Sequence, residues 1–398
     1  MVKELRHFFN AHFKDAQYEA FVNDLNEAHH SPLQFRPAET PVFVPKYFHQ
    51  KMINACESII DVVLRPDFKS MTQNAIPKNL EVKNEDDYPD FLTFDFGVCQ
   101  NADGELEPQL IEMQAFPTLF AYQVLLDDTY QKHFHKPDNY TSYLDGLDKQ
   151  SYLQLLKDQI LGPHDPANVV LLELFPHQQK TNVDFYCTQE YVGIKPVCVT
   201  ELIHKNRQLF YKNEGKEIRI KRIYNRVIFD ELLQQESWVQ EKAAILFTDL
   251  DVEWAPHPNW FYRISKYTLP FIKDPHVPET YFLNELEEVP KNLEDYVLKP
   301  LFSFAGQGVV IDVAPADLEK IKDPENWILQ KKVTYAAVIK TPDEPAKAEI
   351  RIFYFWPKGA KRPRPVNNLV RISKGKMIGV RYNKNKTWTG GTLGFFEN

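Results

Sequence analysis

Apolar residues recur at helical spacing near the start of the chain, in Phe8–Phe21 and again in Met52–Leu64, where Pro66 follows. Spacings of three and four residues are typical of amphipathic helices, and proline commonly ends them. The pattern therefore predicts a helical flank over residues 1–85.

The pattern changes to strict alternation at Phe91. The segment FLTFDFGVCQ is followed by the polar stretch NADGE and then by PQLIEMQAF. Alternation indicates half-buried strands, and Asn, Asp and Gly between two such runs are typical of a turn. A β-hairpin is predicted inside residues 86–160.

Residues 161–255 alternate between strand and helix patterns. The apolar runs VVLLEL and KPVCVT flank a helical pattern, NVDFYCTQEYVG, which Gly193 closes. Further along, RIKRIYNRVIFDELLQQ passes from strand to helix, and AAILFTDL resembles one more short strand. These elements predict a small α/β domain.

The proline-rich passage WAPHPNW marks a junction, after which residues 256–398 resemble an α+β domain. The predicted strands are YVLKPL, GVVIDV, WILQKKV, AEIRIFYFW, NLVRIS and MIGVRY, with a helix at DLEKI. A chain of 398 residues is long enough for two or three such packed units.

Composition narrows the function classes. A formal net charge of −8 argues against a general nucleic-acid binder. No apolar run reaches the length of a membrane span, the N-terminus lacks the pattern of a signal peptide, and the four cysteines are too dispersed for a zinc site or a disulfide framework. We therefore expect a cytoplasmic protein with neither membrane nor nucleic acid as a partner; the pattern specifies no oligomeric state.

A candidate phosphate-binding loop lies in YVLKPLFSFAGQGVVID, residues 296–312. Gly306 and Gly308 permit close approach of the backbone to phosphate oxygens, and Lys299 adds a positive charge. The Walker pattern is absent. A glycine-containing hairpin with a surface lysine would produce the same pattern.

Three other segments carry chemistry. The strand WILQKKV could present backbone groups to an adenine edge or be an ordinary edge strand. In AEIRIFYFW, alternation puts Glu349 and Arg351 on one face, as a working pair or as a cross-strand ion pair. In the hairpin, Asp95, Glu112 and Gln114 point to one side, as a Mg²⁺ site or an exposed acidic face would require.

In combination, the Lys-Pro pair with its glycine-containing loop, the hinge strand, the Glu-x-Arg strand and the earlier carboxylates resemble the ATP-grasp fold. The carboxylate strands come first in this chain, near residues 95–114, an order similar to that of circularly permuted ATP-grasp proteins such as glutathionylspermidine synthetase-like ligases. The resemblance covers residues 90–398. It implies an α+β and α/β architecture, with a small α/β domain before the nucleotide-binding lobes.

The resemblance also implies roles for individual residues. ATP would contact residues of the second half of the chain, namely Lys266, Lys299, Ser303, Gly306, Gln307, Gly308, Gln330, Lys331 and Val333. Magnesium would be held by Asp95 and Glu112, and by Gln114, which replaces the usual asparagine and has one more methylene. Catalytic arginines would be Arg351, which stabilises an oxyanion, and Arg371 and Arg381, which hold an acyl phosphate or a substrate carboxylate.

The activity implied by the resemblance is ligation of a small-molecule carboxylate to an amine through an acylphosphate, with ATP and Mg²⁺. Two alternatives stay open, a phosphotransferase on the same fold and a nucleotide-binding regulatory protein without turnover. The basic residues of the last sixty positions form either a solvated face or an anion site.

Overall fold

Strands from both halves of the chain are joined in one sheet in the computed structural model, which describes residues 1–29, 32–302, 308–375, 378–379 and 382–398. The α-helices are α1 Lys3–His12, α2 Asp15–Glu27, α3 Lys46–Val63, α4 Phe68–Met71, α5 Tyr122–His133, α6 Lys149–Leu161, α7 Asn182–Val192, α8 Phe229–Leu232, α9 Ser237–Ala243, α10 Asn259–Arg263 and α11 Pro315–Glu319. The strands are β1 Val42–Val44, β2 Phe91–Gln100, β3 Leu106–Gln114, β4 Tyr140–Thr141, β5 Val169–Glu173, β6 Lys195–Cys198, β7 Ile203–Lys205, β8 Gln208–Asn213, β9 Lys216–Ile220, β10 Arg222–Asn225, β11 Glu253–Ala255, β12 Thr280–Phe282, β13 Tyr296–Pro300, β14 Trp327–Lys331, β15 Lys347–Phe355, β16 Arg364–Ser373, β17 Gly390–Thr392 and β18 Gly394–Glu397.

The central sheet has five antiparallel strands in the order β17-β16-β15-β2-β3. The predicted hairpin is confirmed as β2 and β3, which pair with a bulge between Asp95 and Phe96. The hairpin extends the sheet through β2, which pairs with β15. Residues 91–114 and 347–392, far apart in sequence, thus share one surface.

A parallel sheet in the order β11-β10-β5-β6 forms the α/β region. The predicted strand, helix and strand are confirmed as β5, α7 and β6, and Gly193 ends α7 with φ of 87°. The small antiparallel sheet β7-β8-β9 was not predicted. The strand predicted at AAILFTDL is wrong: residues Ala244–Phe247 form a 3₁₀ helix, because a short apolar run fits either structure.

A further antiparallel sheet, in the order β12-β14-β13, carries the candidate nucleotide segments. We call it the third sheet, after the central and the parallel sheets. The strand predicted at GVVIDV is replaced by an isolated bridge between Val310 and Leu298. The predicted helix at DLEKI overlaps α11. Of the predicted strand MIGVRY, Met377, Val380 and Arg381 lie outside the described residues, and Ile378, Gly379 and Tyr382 are not in a strand.

The N-terminal helices belong to the main core. Helix α3 buries Phe48, Met52 and Ile59 in the same cluster as Phe94 of β2 and Ile350 of β15. Fully burying one such side chain contributes about 1.5–3 kcal/mol, so residues 1–85 stabilise the central sheet directly. Within the described ranges, no helix has both the length and the apolar character needed to cross a bilayer.

Candidate functional site

A cavity of about 660 Å³ lies where the central sheet, the parallel sheet and the segment before the third sheet meet. Its lining includes Glu112, Gln114, Arg351 and Arg371 from the central sheet and Lys266 from the segment after α10. Five residues selected from the sequence thus share one space. Such a concave site with convergent polar groups is the expected form of a ligand site.

The shared face of the central sheet follows from strand register. Asp95 lies opposite Glu112 on β3 and opposite Arg351 on β15, while Glu349 lies opposite Arg371 on β16. Residues directly opposite each other point to the same side of a sheet. The alternation that selected Asp95, Glu112 and Gln114 is therefore retained in the structure.

Asp95 is buried and both of its carboxylate oxygens are bound by arginines. Arg351 donates to Oδ1 through Nε at 2.5 Å and to Oδ2 through Nη2 at 2.6 Å. Arg371 Nη2 donates to Oδ2 at 2.8 Å. This bidentate geometry is typical of strong arginine-carboxylate pairs. Asp95 thus serves as the counterion of two arginines, and it does not line the cavity itself.

Arg371 is also paired with Glu349. Burial alone would lower the pKa of Arg371, but Glu349, Asp95 and Glu112 raise it well above its ordinary value. Its side chain is 38% exposed and lines the cavity, whereas that of Arg351 is 12% exposed. Two fixed cations therefore face the cavity, with buried carboxylates behind them.

Glu112 and Gln114 fit a magnesium ion carried by a nucleotide. Neither side chain hydrogen-bonds another residue in the part of the chain that the structure describes, and both line the cavity. The described residues contain no cluster of three or more His, Cys, Asp or Glu that could hold a metal. Magnesium usually takes one or two protein carboxylates and completes its shell with phosphate and water, so one carboxylate and one amide suffice.

Lys299 lies on β13 and donates through Nζ to Gln330 Oε1 at 2.5 Å. Gln330, on the neighbouring strand β14, is buried and donates through Nε2 to Thr280 Oγ1 at 3.0 Å. Burial lowers the pKa of Lys299 to about 8, with Glu112 acting in the opposite direction and Lys266 in the same direction. Lys299 thus shares an electrostatic environment with Glu112 and Lys266.

Lys266 follows α10 at the start of a 3₁₀ helix, Lys266–Phe271. Burial lowers its pKa, and Glu112 and Asp230 partly offset that effect. Asn259 and Arg263 of α10 anchor the preceding residues: Asn259 Nδ2 donates to Glu85 Oε2 at 2.8 Å and Arg263 Nε donates to Glu85 Oε1 at 2.7 Å. Lys266 is therefore held at the cavity by a rigid junction.

The remaining candidates that the structure describes do not line the cavity. Lys331 is exposed and Val333 is half-buried beside β14, and neither lines the cavity. Gly308 has φ of 73°, a conformation that favours glycine. Ser303, Gly306, Gln307 and Arg381 lie outside the described residues.

Glu173 and Arg226 are among the cavity residues that were not selected from the sequence. Glu173 ends β5, and Arg226 directly follows β10, the neighbouring parallel strand. From β5 the chain continues to β6 on one side, while β10 and β11 lie on the other. Ligands of open α/β sheets bind at the carboxyl ends of strands at such a switch point, so strand order was the missing signal.

Both residues are 7% exposed, yet both line the cavity. The Arg226 guanidinium lies 5.6 Å from the ring centroid of Phe116 and 5.3 Å from that of Phe185, and its Nε has no hydrogen-bond partner within the described ranges. Burial raises the pKa of Glu173 to about 8, an effect that Arg226 opposes. This end of the cavity can recognise a polar ligand.

Several basic residues near the C-terminus are paired with carboxylates on the surface. Arg362 binds Glu57 and Asp61, Arg364 binds Asp145, and Lys386 binds Glu344. In contrast, Arg351 and Arg371 point into the cavity. The cluster thus divides into a solvated face and a pair of site residues.

Comparison with solved structures finds a glutathione synthetase-like effector (GSS30) from Globodera pallida, solved in its apo form. The two chains superpose with a TM-score of 0.58 at 10% identity, and the match covers 96% of each chain. The chain shares that fold. No family model and no curated protein matches the sequence. At this identity the likeness establishes a glutathione synthetase-like fold and leaves the activity to be argued from the site.

Proposed function

We propose that this protein is a Mg-ATP-dependent ligase of the permuted ATP-grasp type, which joins a small carboxylate to an amine through an acylphosphate. The observation that carries the proposal is the convergence of Glu112, Lys266, Arg351 and Arg371 on one cavity. Lys299 is electrostatically coupled to the same group from the third sheet. Phosphoryl transfer depends mainly on such positioning and charge neutralisation.

In this proposal the nucleotide lies against the third sheet, with its base near residues 330–333 and its phosphates near Lys299 and Lys266. The two lysines neutralise charge on the phosphates. Glu112 and Gln114 would hold magnesium, which when bound supplies charge neutralisation at the phosphate oxygens. Asp95 positions Arg351 and Arg371 in the observed geometry.

The chemistry has two balanced steps. A carboxylate oxygen of the acid attacks the γ-phosphorus, so that an O–P bond forms and the bond to ADP breaks. The amine nitrogen then attacks the acyl carbon, the C–O bond to phosphate breaks, and the amine loses a proton. Arg351 and Arg371 are placed to stabilise the oxyanion and the departing phosphate. The end of the cavity near Glu173 and Arg226 holds the rest of a substrate.

A second candidate function is nucleotide binding without turnover. The observation that favours it is that both oxygens of Asp95 accept hydrogen bonds from arginines, so that Glu112 is the carboxylate of the proposed magnesium set that has no arginine bound to it in the described residues. If two metal ions were required for turnover, this arrangement would not provide for them.

The first experiment is calorimetric titration of a non-hydrolysable ATP analogue, with and without Mg²⁺, into the full chain, Lys299→Ala and Glu112→Ala. Matched controls are Lys320→Ala on the surface and Glu107→Ala on the same strand as Glu112, where Glu107 pairs with Lys51. We expect magnesium-dependent binding that both site variants lose and both controls retain. Failure of the folded native chain to bind would overturn the nucleotide assignment.

The second experiment separates the two candidates. ADP formation from Mg-ATP is followed over panels of carboxylic acids and primary amines, alone and combined. The ligase requires ADP release that depends on both an acid and an amine. Tight Mg-ATP binding without ADP release across the panel would favour the binding protein, and release with a single acceptor would indicate a phosphotransferase.

A further inference from the structure

Tyr335 connects the third sheet to the charged face of the central sheet. It lies four residues after the end of β14, beyond the segment 330–333 at which the proposed function places the base. Its hydroxyl donates to Glu349 Oε2 at 2.6 Å. The other oxygen of Glu349 accepts from Arg371. The carboxylate of Glu349 thus connects Tyr335 to Arg371 in the cavity. We call residues 332–346, between β14 and β15, the linker.

The backbone holds Tyr335 in register with the central sheet. Tyr335 forms an isolated bridge with Cys99, and Ala336 N–H donates to the Val98 carbonyl at 2.8 Å. The linker is therefore hydrogen-bonded to β2 at this point. These backbone contacts bring Tyr335 next to the central sheet.

Gly97 provides the space for the tyrosine ring. It lies opposite Glu349 in the register of β2 and β15. A Cβ atom built at Gly97 would lie 2.8 Å from Tyr335 Cε1 and 3.2 Å from Ile111 Cδ1. Real Cβ atoms do not approach other carbons so closely, so any side chain there would displace the ring.

Burial raises the pKa of Glu349, and Arg371 opposes that effect. A buried carboxylate is costly unless its oxygens are hydrogen-bonded, and hydrogen bonds to charged groups contribute about 1.5–3 kcal/mol. One nitrogen of Arg371, Nη2, donates hydrogen bonds to both Glu349 and Asp95. A change in the orientation of Glu349 must therefore change the position of Arg371.

We propose that Tyr335 is a positioning residue, which orients Arg371 toward the cavity through Glu349 and is itself seated over Gly97. The role in ligation rests on the proposed function. The consequence is that the arginine takes its position from the linker that leaves the nucleotide-binding strand. Tyr335 does not line the cavity, so it acts through Arg371 and not by touching a ligand.

The test measures binding of acetyl phosphate, a small acylphosphate, with and without Mg-ADP, by calorimetry on the full chain. Tyr335→Phe removes only the hydroxyl. We expect it to weaken acetyl phosphate binding about tenfold, the effect of one hydrogen bond to a charged group, and to leave the Mg-ADP affinity within about twofold. Tyr47→Phe, which removes a hydroxyl from an exposed helix position, is the matched control and should change neither affinity.

The decisive comparison repeats Tyr335→Phe in an Arg371→Ala background. If Tyr335 acts through Arg371, it has no further effect there, whereas a general structural role would give the same loss in both backgrounds. Gly97→Ala should reproduce the loss and should not add to Tyr335→Phe.

Equal losses in both backgrounds, or unchanged acetyl phosphate affinity in Tyr335→Phe, would overturn the proposal. Native protein that binds Mg-ADP but not acetyl phosphate would overturn it too. Native protein that binds acetyl phosphate but not Mg-ADP would instead overturn the proposed function, while the Tyr335 comparison could still be completed with acetyl phosphate alone.

Discussion

The third sheet and the central sheet present cations to the site in opposite ways. Lys299 of the third sheet meets a neutral amide, Gln330, and its pKa falls to about 8. Arg371 of the central sheet meets two carboxylates, Glu349 and Asp95, and its pKa rises. A partly desolvated cation that has no carboxylate at ion-pair distance gains stability when an anion binds, whereas a cation that is already paired with carboxylates is held in its position by them. The first arrangement favours binding of phosphate, and the second favours fixed geometry.

The largest predicted effect on stability comes from removing Asp95, the buried counterion of Arg351 and Arg371. Asp95→Ala leaves Arg351 and Arg371 without a shared partner, and we expect the free energy of unfolding to fall by about 3–5 kcal/mol. Urea denaturation measures this. Asp61→Ala removes an exposed partner of Arg362 inside helix α3 and should cost at most about 1 kcal/mol. Equal losses would show that the buried network is no more important than a surface pair.

The same substitution on the two sheets should affect stability in opposite directions. Lys299→Met removes a half-buried charge that has no carboxylate within ion-pair distance among the described residues, so the free energy of unfolding should stay the same or rise. Arg371→Met leaves the carboxylates of Asp95 and Glu349 without this partner, so the free energy of unfolding should fall. We expect Lys299→Met to weaken binding of an ATP analogue by about 10–100-fold, as loss of a charged hydrogen bond predicts. Calorimetry and urea denaturation on both variants provide the data, and destabilisation by both would contradict the contrast.

The local part of this picture could be predicted from the sequence. Alternation placed Asp95 and Glu112 on one face, and Gly193 marked the end of α7, because both depend on residues near in sequence. The partners of Asp95 could not be predicted, because Arg351 lies 256 residues away and reaches it only through the pairing of β2 with β15. The sequence therefore predicts a metal ligand at Asp95 and does not indicate its pairing with the arginines.

Glu173 and Arg226 illustrate the same limit. Each follows an apolar strand pattern that is visible in the sequence, but their proximity depends on β5 and β10 being neighbours in the sheet. The order of parallel strands is a non-local property, which hydrophobic periodicity does not report. Residues at strand ends are therefore recognised only after the topology is known.

A smaller effect is expected when the cation of the third sheet is given a carboxylate partner, as the cations of the central sheet have. Gln330→Glu would place a carboxylate next to Lys299, raise the pKa of the lysine and add a negative charge near the phosphates. We expect ATP-analogue affinity to fall about tenfold, the effect of one unfavourable charge contact of about 1.4 kcal/mol. Gln234→Glu, at a surface glutamine after α8, is the control and should leave affinity unchanged. Unchanged affinity in Gln330→Glu would show that the neutral partner of Lys299 is not needed.

The smallest predicted effect is proton uptake on nucleotide binding, which is measured first on the native chain. Because the pKa of Lys299 in the free protein is about 8, part of the lysine is neutral at pH 8. Nucleotide phosphates favour the charged form, so binding should raise that pKa and take up protons, about half a proton per site at pH 8. The uptake should vanish near pH 6, where the lysine is already charged. Calorimetry in two buffers of different ionisation enthalpy measures the uptake at each pH. Arg371, with its raised pKa, should contribute nothing at either pH. Lys299→Arg should therefore remove the part of the uptake that belongs to Lys299, and any remainder is attributed to Lys266, whose pKa is also lowered. Undiminished uptake in Lys299→Arg would assign the proton to another group and remove the basis for contrasting the two sheets.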